Sequence, residues 1–358
     1  MNNKAVIAMS GGVDSSVAAY LMKQRGFDCI GVTMKLFANE DIGISREHSC
    51  CSLDDVEDAR SVAYSLDMPY YVFNFSDRFE TDVIDRFVHA YENGITPNPC
   101  IDCNRYLKFD KLYMRAKELD RDYVVTGHYA RVEKDENDRF LLKKALDDTK
   151  DQSYVLYCLT QEQLSHTIFP LGEMRKSQAR EIAESQGFIN ARKADSQDIC
   201  FVQNGSYADF IEQYTGKNYP DGDFLDTNGN VIGRHKGVIR YTVGQRKGLG
   251  ISAPEPLYVK AVNPVSNTVT LSYNDGLYSS IVKAGDINLI SVPEIKGEMR
   301  VKAKVRYRHT EQWATVTQNG ETLTAVFDEP QRAVTCGQAL VLYDGDTVVG
   351  GGTIIEVE

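Results

Sequence analysis

The segment Ala8–Ser16, with the sequence AMSGGVDSS, has the residue types and spacing of a phosphate-binding loop. It follows an apolar run of strand length and precedes residues that recur at helical spacing. Ser10, Gly11 and Gly12 would let the backbone approach an anion, towards which the first N–H groups of the helix would point. Asp14 would repel a phosphate unless a bound Mg²⁺ bridges the two groups. The sequence therefore predicts a phosphate site with Mg²⁺ at Asp14, and an ordinary Gly-Gly turn is the alternative.

Two of the eight cysteines, Cys100 and Cys103, form a Cys-x-x-Cys motif at the predicted start of a helix. The helix dipole and unpaired N–H groups favour a thiolate there. Half of a zinc site is the alternative, but the chain has no second Cys-x-x-Cys, so we expect no structural metal. Cys200, in the acidic segment DSQDICF, is a second candidate, with a role as a buried hydrophobic residue as its alternative. The apolar runs around three further cysteines predict core positions for Cys29, Cys158 and Cys336.

The sequence predicts that alternating strands and helices position these residues. Apolar runs predict four strands, at 5–9, 27–37, 70–75 and 123–126. Between and after them the pattern predicts helices near 78–93, 104–119, 161–168 and 175–186, another that Ser52 caps, and a hairpin at 131–146. This order is typical of a doubly wound parallel sheet. The loops after Met9, at Met34 and at Gly127 would then converge at the carboxyl ends of the strands.

The pattern changes near residue 200. Helical spacing persists at 207–214, but beyond it Asn-Gly and Asp-Gly turns separate short alternating runs. We therefore predict two small β-rich, barrel-like domains after the α/β domain. The predicted domain ranges are 1–203, 204–290 and 291–358.

Composition sets broad limits on function. The chain has 358 residues, of which 42% are hydrophobic and 25% charged, as in ordinary globular proteins. A net charge of −11 argues against a surface that generally coats nucleic acid or membranes, although a local basic patch remains compatible with it. The sequence has no stretch typical of a signal peptide or a membrane span, so we expect a cytoplasmic protein with reduced cysteines.

Eight motifs, in this order along nearly the whole chain, resemble those of one family. They are AMSGGVDSS, CCSL, TPNPCIDCNRYLKF, TGHYAR, KDQSYVLY, DSQDICF, YTVGQRKGLGI and VRYRH. The first is similar to the SGGxDS signature of pyrophosphatase-loop ATPases, which split ATP between its α and β phosphates. Together the motifs resemble the bacterial tRNA-specific 2-thiouridylases. The resemblance implies a sulfurtransferase with an adenine-nucleotide alpha hydrolase (N-type ATP pyrophosphatase) domain.

The resemblance also implies roles for individual residues. The enzyme would adenylate the C2 oxygen of the wobble uridine in a tRNA anticodon and then replace it with sulfur. Cys103 would be the nucleophile and Cys200 the persulfide carrier, and the two would form a transient disulfide. Asp102 would serve as an acid–base group, since Cys100 stands where some relatives carry an acidic residue. The ATP contacts would be Ala8, Met9, Ser10, Gly11, Gly12, Val13, Asp14, Ser15, Met34 and Gly127. The tRNA contacts would be Asn98, Pro99, Cys100, His128, Lys150, Asp151, Gln152, Arg306, Tyr307 and Gln338.

The implied partners are the tRNA anticodon arm and a persulfide donor, either a cysteine desulfurase or a sulfur-relay carrier, with no membrane. From the residues alone, His128 could equally be a structural histidine, and the basic run at Arg306 a solvated strand face. A synthetase that adenylates a small substrate would explain the loop but not the paired cysteines. A non-catalytic RNA-binding or redox-sensing protein is the other alternative.

Overall fold

The computed structural model of this chain describes residues 2–37, 53–195, 199–202 and 206–358. These residues form two compact units. The first unit comprises Met1–Val83, Pro99–Gln203 and Asp346–Val349, and the second comprises Ile84–Asn98, Asn204–Gly345 and Gly350–Glu358. Ser52, which was predicted to cap a helix, and the Cys50-Cys51 pair lie outside the described residues.

The first unit is built on a five-stranded parallel sheet in the order β3-β2-β1-β4-β7. Its strands are β1 (Lys4–Ala8), β2 (Asp28–Lys35), β3 (Tyr70–Asn74), β4 (Tyr123–Val125) and β7 (Thr167–Ile168), and β5 (Arg131–Lys134) and β6 (Phe140–Lys143) form the predicted hairpin. The strand order reverses direction between β1 and β4. In a sheet of this kind, ligands bind beyond the carboxyl ends of the strands at that reversal.

Nine helices lie between residues 13 and 185 of the described chain, and all of them except α4 belong to the first unit. They are α1 (Val13–Gln24), α2 (Leu53–Ser65), α3 (Ser76–Phe79), α4 (Asp85–Glu92), α5 (Pro99–Asp102), α6 (Leu112–Glu118), α7 (Ser153–Leu156), α8 (Gln161–Ser165) and α9 (Lys176–Ser185). π-helical turns occupy Glu80–Ile84, between α3 and α4, and Cys103–Lys111, between α5 and α6. The run 99–118 is therefore continuously helical.

The central strands β1, β2 and β4 of the parallel sheet are buried on both faces, whereas the edge strand β3 exposes Tyr71 and Val72. Ile7 and Val125 belong to an apolar cluster that includes Val17 of α1 and Ala179 of α9. The next residue along β1 in the amino-terminal direction, Val6, points to the opposite face and is also fully buried. Burial on both faces explains why these strands read as continuous apolar runs rather than as alternating patterns.

The second unit contains α4, α10 (Tyr207–Thr215) and two β-structures. The first β-structure is a four-stranded sheet in the order β10-β11-β8-β9, made of β8 (Gly222–Leu225), β9 (Val231–His235), β10 (Tyr258–Asn263) and β11 (Thr268–Ser272). The second is a closed six-stranded barrel in the order β12-β15-β14-β13-β16-β17, which β12 and β17 close. Its strands are β12 (Tyr278–Leu289), β13 (Glu298–Lys304), β14 (Gln312–Asn319), β15 (Thr322–Arg332), β16 (Ala339–Asp344) and β17 (Thr347–Val357).

The predicted fold class is confirmed, with three differences in detail. The predicted helix at 161–168 ends at Ser165, and its last residues form β7, a fifth strand of the sheet that is too short to show a pattern. The barrel begins at Tyr278, so β12 pairs with β15 and β17 although the sequence assigned these residues to the central domain. The central domain contributes an open four-stranded sheet among the described residues.

Candidate active site

The phosphate loop joins β1 to α1 at the point where the sheet reverses direction. Gly12 is the N-cap of α1 and has no side chain with which to cap its first turn. Gly11 has a φ of +74°, and a Cβ atom on it would collide with the backbone of Asp55 at the start of α2. Both glycines therefore leave the helix N-terminus accessible to an anion, because they bring no side chain in front of it.

Two serines fix the shape of this loop from within. Ser15 Oγ donates to the Gly12 carbonyl at 3.0 Å and accepts from the Ser10 N–H at 3.2 Å. Ser16 Oγ donates to the same Gly12 carbonyl at 3.1 Å. Since Ser15 and Ser16 are buried, their hydroxyls act on the loop backbone. Ser10 is exposed at the loop surface.

The other predicted nucleotide contacts lie on neighbouring strands. Pairing of Ala8 with Val32, and of Ile7 with Val125, aligns the carboxyl ends of β1, β2 and β4. Met34 lies near the end of β2 and is nearly buried. Gly127 follows β4, and a Cβ atom on it would come within 2.7 Å of the Asp14 carbonyl carbon. The convergence predicted for these three places on the chain is therefore confirmed.

Asp14 is paired with a lysine that the sequence did not single out. Lys176 Nζ, at the start of α9, lies 2.8 Å from Asp14 Oδ1 and 2.7 Å from Oδ2. Tyr129 OH donates to Asp14 Oδ1 at 2.9 Å. Burial and the charge of Asp14 raise the pKa of Tyr129, so this hydroxyl keeps its proton.

This arrangement does not fit Asp14 as a direct Mg²⁺ ligand. Both of its carboxylate oxygens already contact an ammonium group, which would repel a cation. Within the described part of the chain, no group of three or more His, Cys, Asp or Glu side chains could hold a metal ion. Mg²⁺ at Asp14 would have to displace Lys176 from this carboxylate, and its assignment there stays a prediction.

The segment 190–195 supports the loop from behind. Asn190 Nδ2 donates to the Gly11 carbonyl and to Ser16 Oγ, both at 2.9 Å. Lys193 Nζ donates to the Gly11 carbonyl at 3.3 Å and to Asp55 and Asp58 of α2 at 2.5 and 2.7 Å. Asn190 is buried, and so is Asp55. These contacts hold the Gly11 peptide in its left-handed conformation.

Cys103 lies at the first residue of the π-helical turn Cys103–Lys111. Its side chain is buried, whereas Cys100, one turn earlier, is exposed. The neighbouring Asn104 donates from Nδ2 to the Val155 carbonyl at 2.9 Å and so fixes this turn against α7. π-Helical turns within α-helices are frequent at functional sites. Asp102, the proposed acid–base residue, is half-buried at the end of α5.

Cys200 lies in a turn that a buried phenylalanine anchors. The Val202 N–H donates to the Ile199 carbonyl at 3.0 Å. Phe201 is fully buried and packs edge-on against Phe79, with ring centroids 5.7 Å apart. Cys200 itself is half-buried. The rest of its motif, residues 196–198, lies outside the described residues.

The remaining described cysteines differ in burial. Cys29 and Cys158 are buried, and burial raises the pKa of these thiols to about 11 and about 12 respectively. Both are core residues, as predicted. Cys336 is only half-buried, although burial still raises its pKa.

Comparison with known sequences shows relatives along the whole chain. Three family models match consecutive parts: a tRNA methyl transferase HUP domain at residues 3–204, a tRNA methyl transferase PRC-barrel domain at 208–273 and an aminomethyltransferase beta-barrel domain at 279–354. The tRNA-specific 2-thiouridylase MnmA of Clostridioides difficile (strain 630) is 51% identical over 356 residues, covering 99% of this chain and 98% of that protein. This chain belongs to the tRNA-specific 2-thiouridylase family.

A second 2-thiouridylase, from Lachnoclostridium phytofermentans, is 51% identical over 355 residues, which cover 99% of each protein. Among solved structures, a 4-thiouridine synthetase–RNA complex with bound ATP is 20% identical, covers 59% of this chain and 50% of that chain, and has a TM-score of 0.35. A likeness this weak carries no argument about this chain. Among the described residues, no helix has both the length and the apolar character needed to cross a bilayer.

Three residues predicted to contact tRNA on the basis of the 2-thiouridylase motifs have partners within the first unit. Lys150 Nζ lies 2.8 Å from Asp195 Oδ2. Asp151 accepts hydrogen bonds from the Ala145 N–H and from Ser153 at the start of α7. Gln152 Oε1 accepts from the Tyr129 N–H at 3.0 Å. An RNA contact would have to share or replace these bonds.

His128 of the family's TGHYAR motif is packed between aromatic rings. The Phe109 and Phe169 centroids lie 6.0 and 5.9 Å from its own. Its Nδ1 lies 2.7 Å from Thr126 Oγ1. Burial and the nearby charge of Lys108 hold the pKa of His128 well below its ordinary value of 6.5. A neutral ring that binds tRNA would do so without adding a charge.

The predicted RNA contacts in the second unit differ in how exposed their side chains are. The Arg306 guanidinium donates to the carbonyls of Val243 at 3.0 Å and Ala333 at 2.5 Å, and it also contacts Thr335 Oγ1. Tyr307, in contrast, is 39% exposed. Gln338 Nε2 donates to the carbonyls of Thr96 and Pro97 at 2.9 and 3.2 Å, immediately before Asn98 of the PNPC motif. Arg306 and Gln338 therefore hold backbone in place.

The sequence reasoning missed the residues that support the phosphate loop. Lys176, Asn190 and Lys193 belong to no quoted motif, and the chain separates Lys176 from Asp14 by 162 residues. Tyr129 does lie within TGHYAR, and its place beside the strand end was the one signal that could have pointed to it.

Proposed function

We propose that this protein is a tRNA sulfurtransferase that converts the wobble uridine of certain anticodons to 2-thiouridine, with ATP as co-substrate. Membership of the 2-thiouridylase family supports the reaction class. The observation that carries the proposal is that a single compact unit contains the phosphate loop and both candidate cysteines, Cys103 and Cys200. A small-molecule synthetase would need the loop but not the cysteines.

The chemistry explains why both features are needed. The C2 oxygen of uracil is an amide-like oxygen and leaves poorly, so it is first converted to an adenylate with release of pyrophosphate. The glycine-lined N-terminus of α1 would bind the phosphates through backbone N–H groups. Lys176 adds a cation within contact distance of Asp14. A Mg²⁺ ion that accompanies ATP would, in this proposal, be held by phosphate oxygens.

Sulfur transfer then uses the two cysteines. The terminal sulfur of a Cys200 persulfide attacks the activated C2 carbon, and AMP leaves. The Cys103 thiolate attacks the Cys200 sulfur, which breaks the persulfide bond and leaves the outer sulfur on the base. The two cysteines end as a disulfide, which an external dithiol must reduce with two electrons. Release of hydrosulfide before attack is a variant with the same products. Asp102 lies beside Cys103 in sequence and would act as the acid–base group.

The remaining residues would bind the substrate RNA. Exposed Cys100, together with Asn98 and Pro99, would approach the target base, and exposed Tyr307 would stack on a nucleotide. Lys150, Asp151, Gln152 and His128 would contact the RNA from the first unit. Arg306 and Gln338 would act within the second unit, by holding its backbone in place. A persulfide donor would load Cys200 in the cytoplasm.

The test is mass spectrometry of anticodon nucleosides after the full chain has been incubated with unmodified tRNA, Mg·ATP and a cysteine desulfurase that supplies persulfide. Wild-type protein should add one sulfur to the wobble uridine and release one AMP. Cys103→Ala and Cys200→Ala should each abolish the thiolation. Cys158→Ala is the matched control, since burial raises the pKa of that thiol to about 12 and keeps it protonated.

Two results would contradict the proposal. AMP released without sulfur in the RNA would mean that the loop is active but that the substrate is not tRNA. Tight tRNA binding without any consumption of ATP would indicate a non-catalytic RNA-binding protein.

A further inference from the structure

An open groove lies in the second unit beside the loop that joins β13 to β14. Its volume is about 490 Å³, which is within the range of sites that hold small ligands. The groove is lined by this loop, by the first residue of β12 and by the last residues of β15. Pairing of β12 with β15 sets Tyr278 opposite Arg332. Three separate segments of the chain therefore form the groove.

Two contacts orient the Arg332 guanidinium, which lines the groove. Its Nε–H donates to Asn274 Oδ1 at 2.8 Å. Its Cζ atom lies 4.9 Å from the centroid of the Tyr258 ring, a cation–π contact. In the part of the chain that the structure describes, the terminal nitrogens of Arg332 have no hydrogen-bond partner. A guanidinium that is oriented in advance and keeps these donors can bind an oxyanion through two parallel hydrogen bonds.

The charges around the groove favour an anion. Arg308 also lines it, is exposed and forms no ion pair with another described residue. Glu329 brings a carboxylate, so two guanidinium groups face one negative charge. His309 adds no charge at pH 7, since burial and the charges of Arg306 and Arg332 hold its pKa below the ordinary value of 6.5. The groove is thus locally positive on a chain whose net charge is −11.

An aromatic ring accompanies these cations. Tyr278 lines the groove and is 47% exposed. Proteins bind single-stranded RNA with cations that contact the backbone phosphates and with aromatic rings on which unstacked bases lie. An inorganic anion or an acidic peptide would need the guanidinium groups but not the ring. The combination therefore favours a nucleotide of an RNA strand over these alternatives.

We infer that this groove is an RNA-binding subsite in which Arg308 and Arg332 bind a backbone phosphate and Tyr278 stacks on an adjoining base. The inference rests on the proposed function, because that function supplies the RNA. Tyr278 and Arg332 lie outside the motifs that resemble those of the 2-thiouridylases, and Arg308 is not among the tRNA contacts that the resemblance implies. The subsite would contribute to tRNA affinity from the second unit, whereas the phosphate loop belongs to the first.

Filter binding of unmodified tRNA to the full chain tests the subsite, with the dissociation constant measured at several KCl concentrations. Each phosphate contact steepens the dependence of log affinity on log salt concentration by about 0.7–0.9. Arg308→Gln should therefore make this slope less steep by roughly that amount. Tyr278→Ala should weaken binding at least about 5-fold at every salt concentration and leave the slope unchanged.

Matched variants separate these contacts from general effects. Arg308→Lys keeps a positive charge and should keep the salt slope. Tyr278→Phe keeps the ring and should bind tRNA as tightly as the wild type. Arg234→Gln removes the same charge from β9, where Asp223 already pairs with the guanidinium at 2.7 Å, and should change neither quantity. Melting curves followed by circular dichroism verify that each variant is folded.

The outcomes separate this inference from the proposed function. If the wild type binds tRNA and both Arg308→Gln and Tyr278→Ala match its affinity and slope, the subsite is overturned and the proposed function stays intact. Normal tRNA binding by these variants with slower sulfur transfer from a cysteine desulfurase would assign the groove to the donor protein instead. An equal change of slope in Arg234→Gln would assign the effect to net charge and also overturn the subsite. Failure of the wild type to bind tRNA would contradict the proposed function itself.

Discussion

Gly127 lies directly against the first turn of α1, and a Cβ atom on it would stand 2.7 Å from the carbonyl carbon of Asp14 and 2.8 Å from the Ser15 nitrogen. The end of β4 and the phosphate loop thus pack backbone to backbone. This close approach explains why the strand end carries glycine, since real Cβ atoms do not come this near to backbone atoms.

Gly127→Ala should therefore disturb the loop, because the added methyl group overlaps the loop backbone. Relief of the overlap costs about 1–3 kcal/mol in overpacked sites, and we expect the affinity for ATP to fall at least about 10-fold. Equilibrium dialysis with labelled ATP measures this change. Gly285→Ala is the control, since the nearest atoms to a Cβ atom there would be side-chain atoms of Ile355 at 3.6 and 3.7 Å, an ordinary van der Waals distance. Unchanged affinity in Gly127→Ala would show that the loop tolerates displacement.

Lys193→Met should destabilise the first unit. It would leave the carboxylate of Asp55, with 9% side-chain exposure, without its 2.5 Å ammonium partner, and Asp58 would lose the same contact. Because Lys193 is 34% exposed, solvent screens part of this loss, and we expect a cost of about 1–3 kcal/mol. Urea unfolding of the full chain at pH 7 measures the free energy change.

The adjacent Arg192→Met is the matched control for that measurement. Arg192 is 91% exposed and pairs with Glu184 at 3.5 Å, so its loss should cost well under about 1 kcal/mol. Equal effects of the two substitutions would contradict the supporting role of Lys193.

His128 should make the protein less stable in mild acid. Its pKa in the folded chain is held below 6.5 by burial and by Lys108, so the folded state excludes a proton that the unfolded chain takes up. Above about pH 6.5 this histidine does not lower the free energy of unfolding. As the pH falls below about 6.5, the free energy of unfolding should decrease by at most about 1.4 kcal/mol per pH unit from this group.

Comparison of wild type with His128→Asn by urea unfolding at pH 7.5 and pH 5.5 isolates the contribution of this histidine. The wild type should lose more stability between the two pH values than the variant does. A parallel pH dependence in both proteins would mean that His128 titrates normally in the folded state.

Substitutions of Arg306 and Tyr307 should affect different properties, the first the thermal stability of the protein and the second its binding of tRNA. Arg306→Lys removes the planar group that reaches the Val243 and Ala333 carbonyls, and hydrogen bonds to a charged group contribute about 1.5–3 kcal/mol. We expect a lower melting temperature for this variant. Tyr307→Ala should leave the melting temperature nearly unchanged and weaken tRNA binding, measured by filter binding at fixed salt. Normal stability of Arg306→Lys would return Arg306 to the set of direct RNA contacts.

Local patterns in the sequence were sufficient for the fold class and for naming candidate reacting groups. The apolar run before AMSGGVDSS, the alternation of strands with helices, and the spacing of Cys100 and Cys103 are features of short segments, and their physical meaning does not depend on distant residues. The strand β7 was missed because two residues carry no period. The predicted domain boundary at residue 290 falls after β12, and the pairing of β12 with β15 and β17 could not be read locally because those strands are distant in sequence.

The sequence by itself determined that a phosphate loop and two candidate cysteines are present, because each lies in a motif of contiguous residues. Only the tertiary structure decided which charges surround them. It placed Lys176 on Asp14, 162 residues away in the chain, and Lys193 on the Gly11 carbonyl, 182 residues away. It also directed the Arg306 guanidinium towards the backbone carbonyls of Val243 and Ala333. The physical reason is that the strength of an ion pair or hydrogen bond depends on distance and burial, and folding alone fixes both for residues so far apart in sequence.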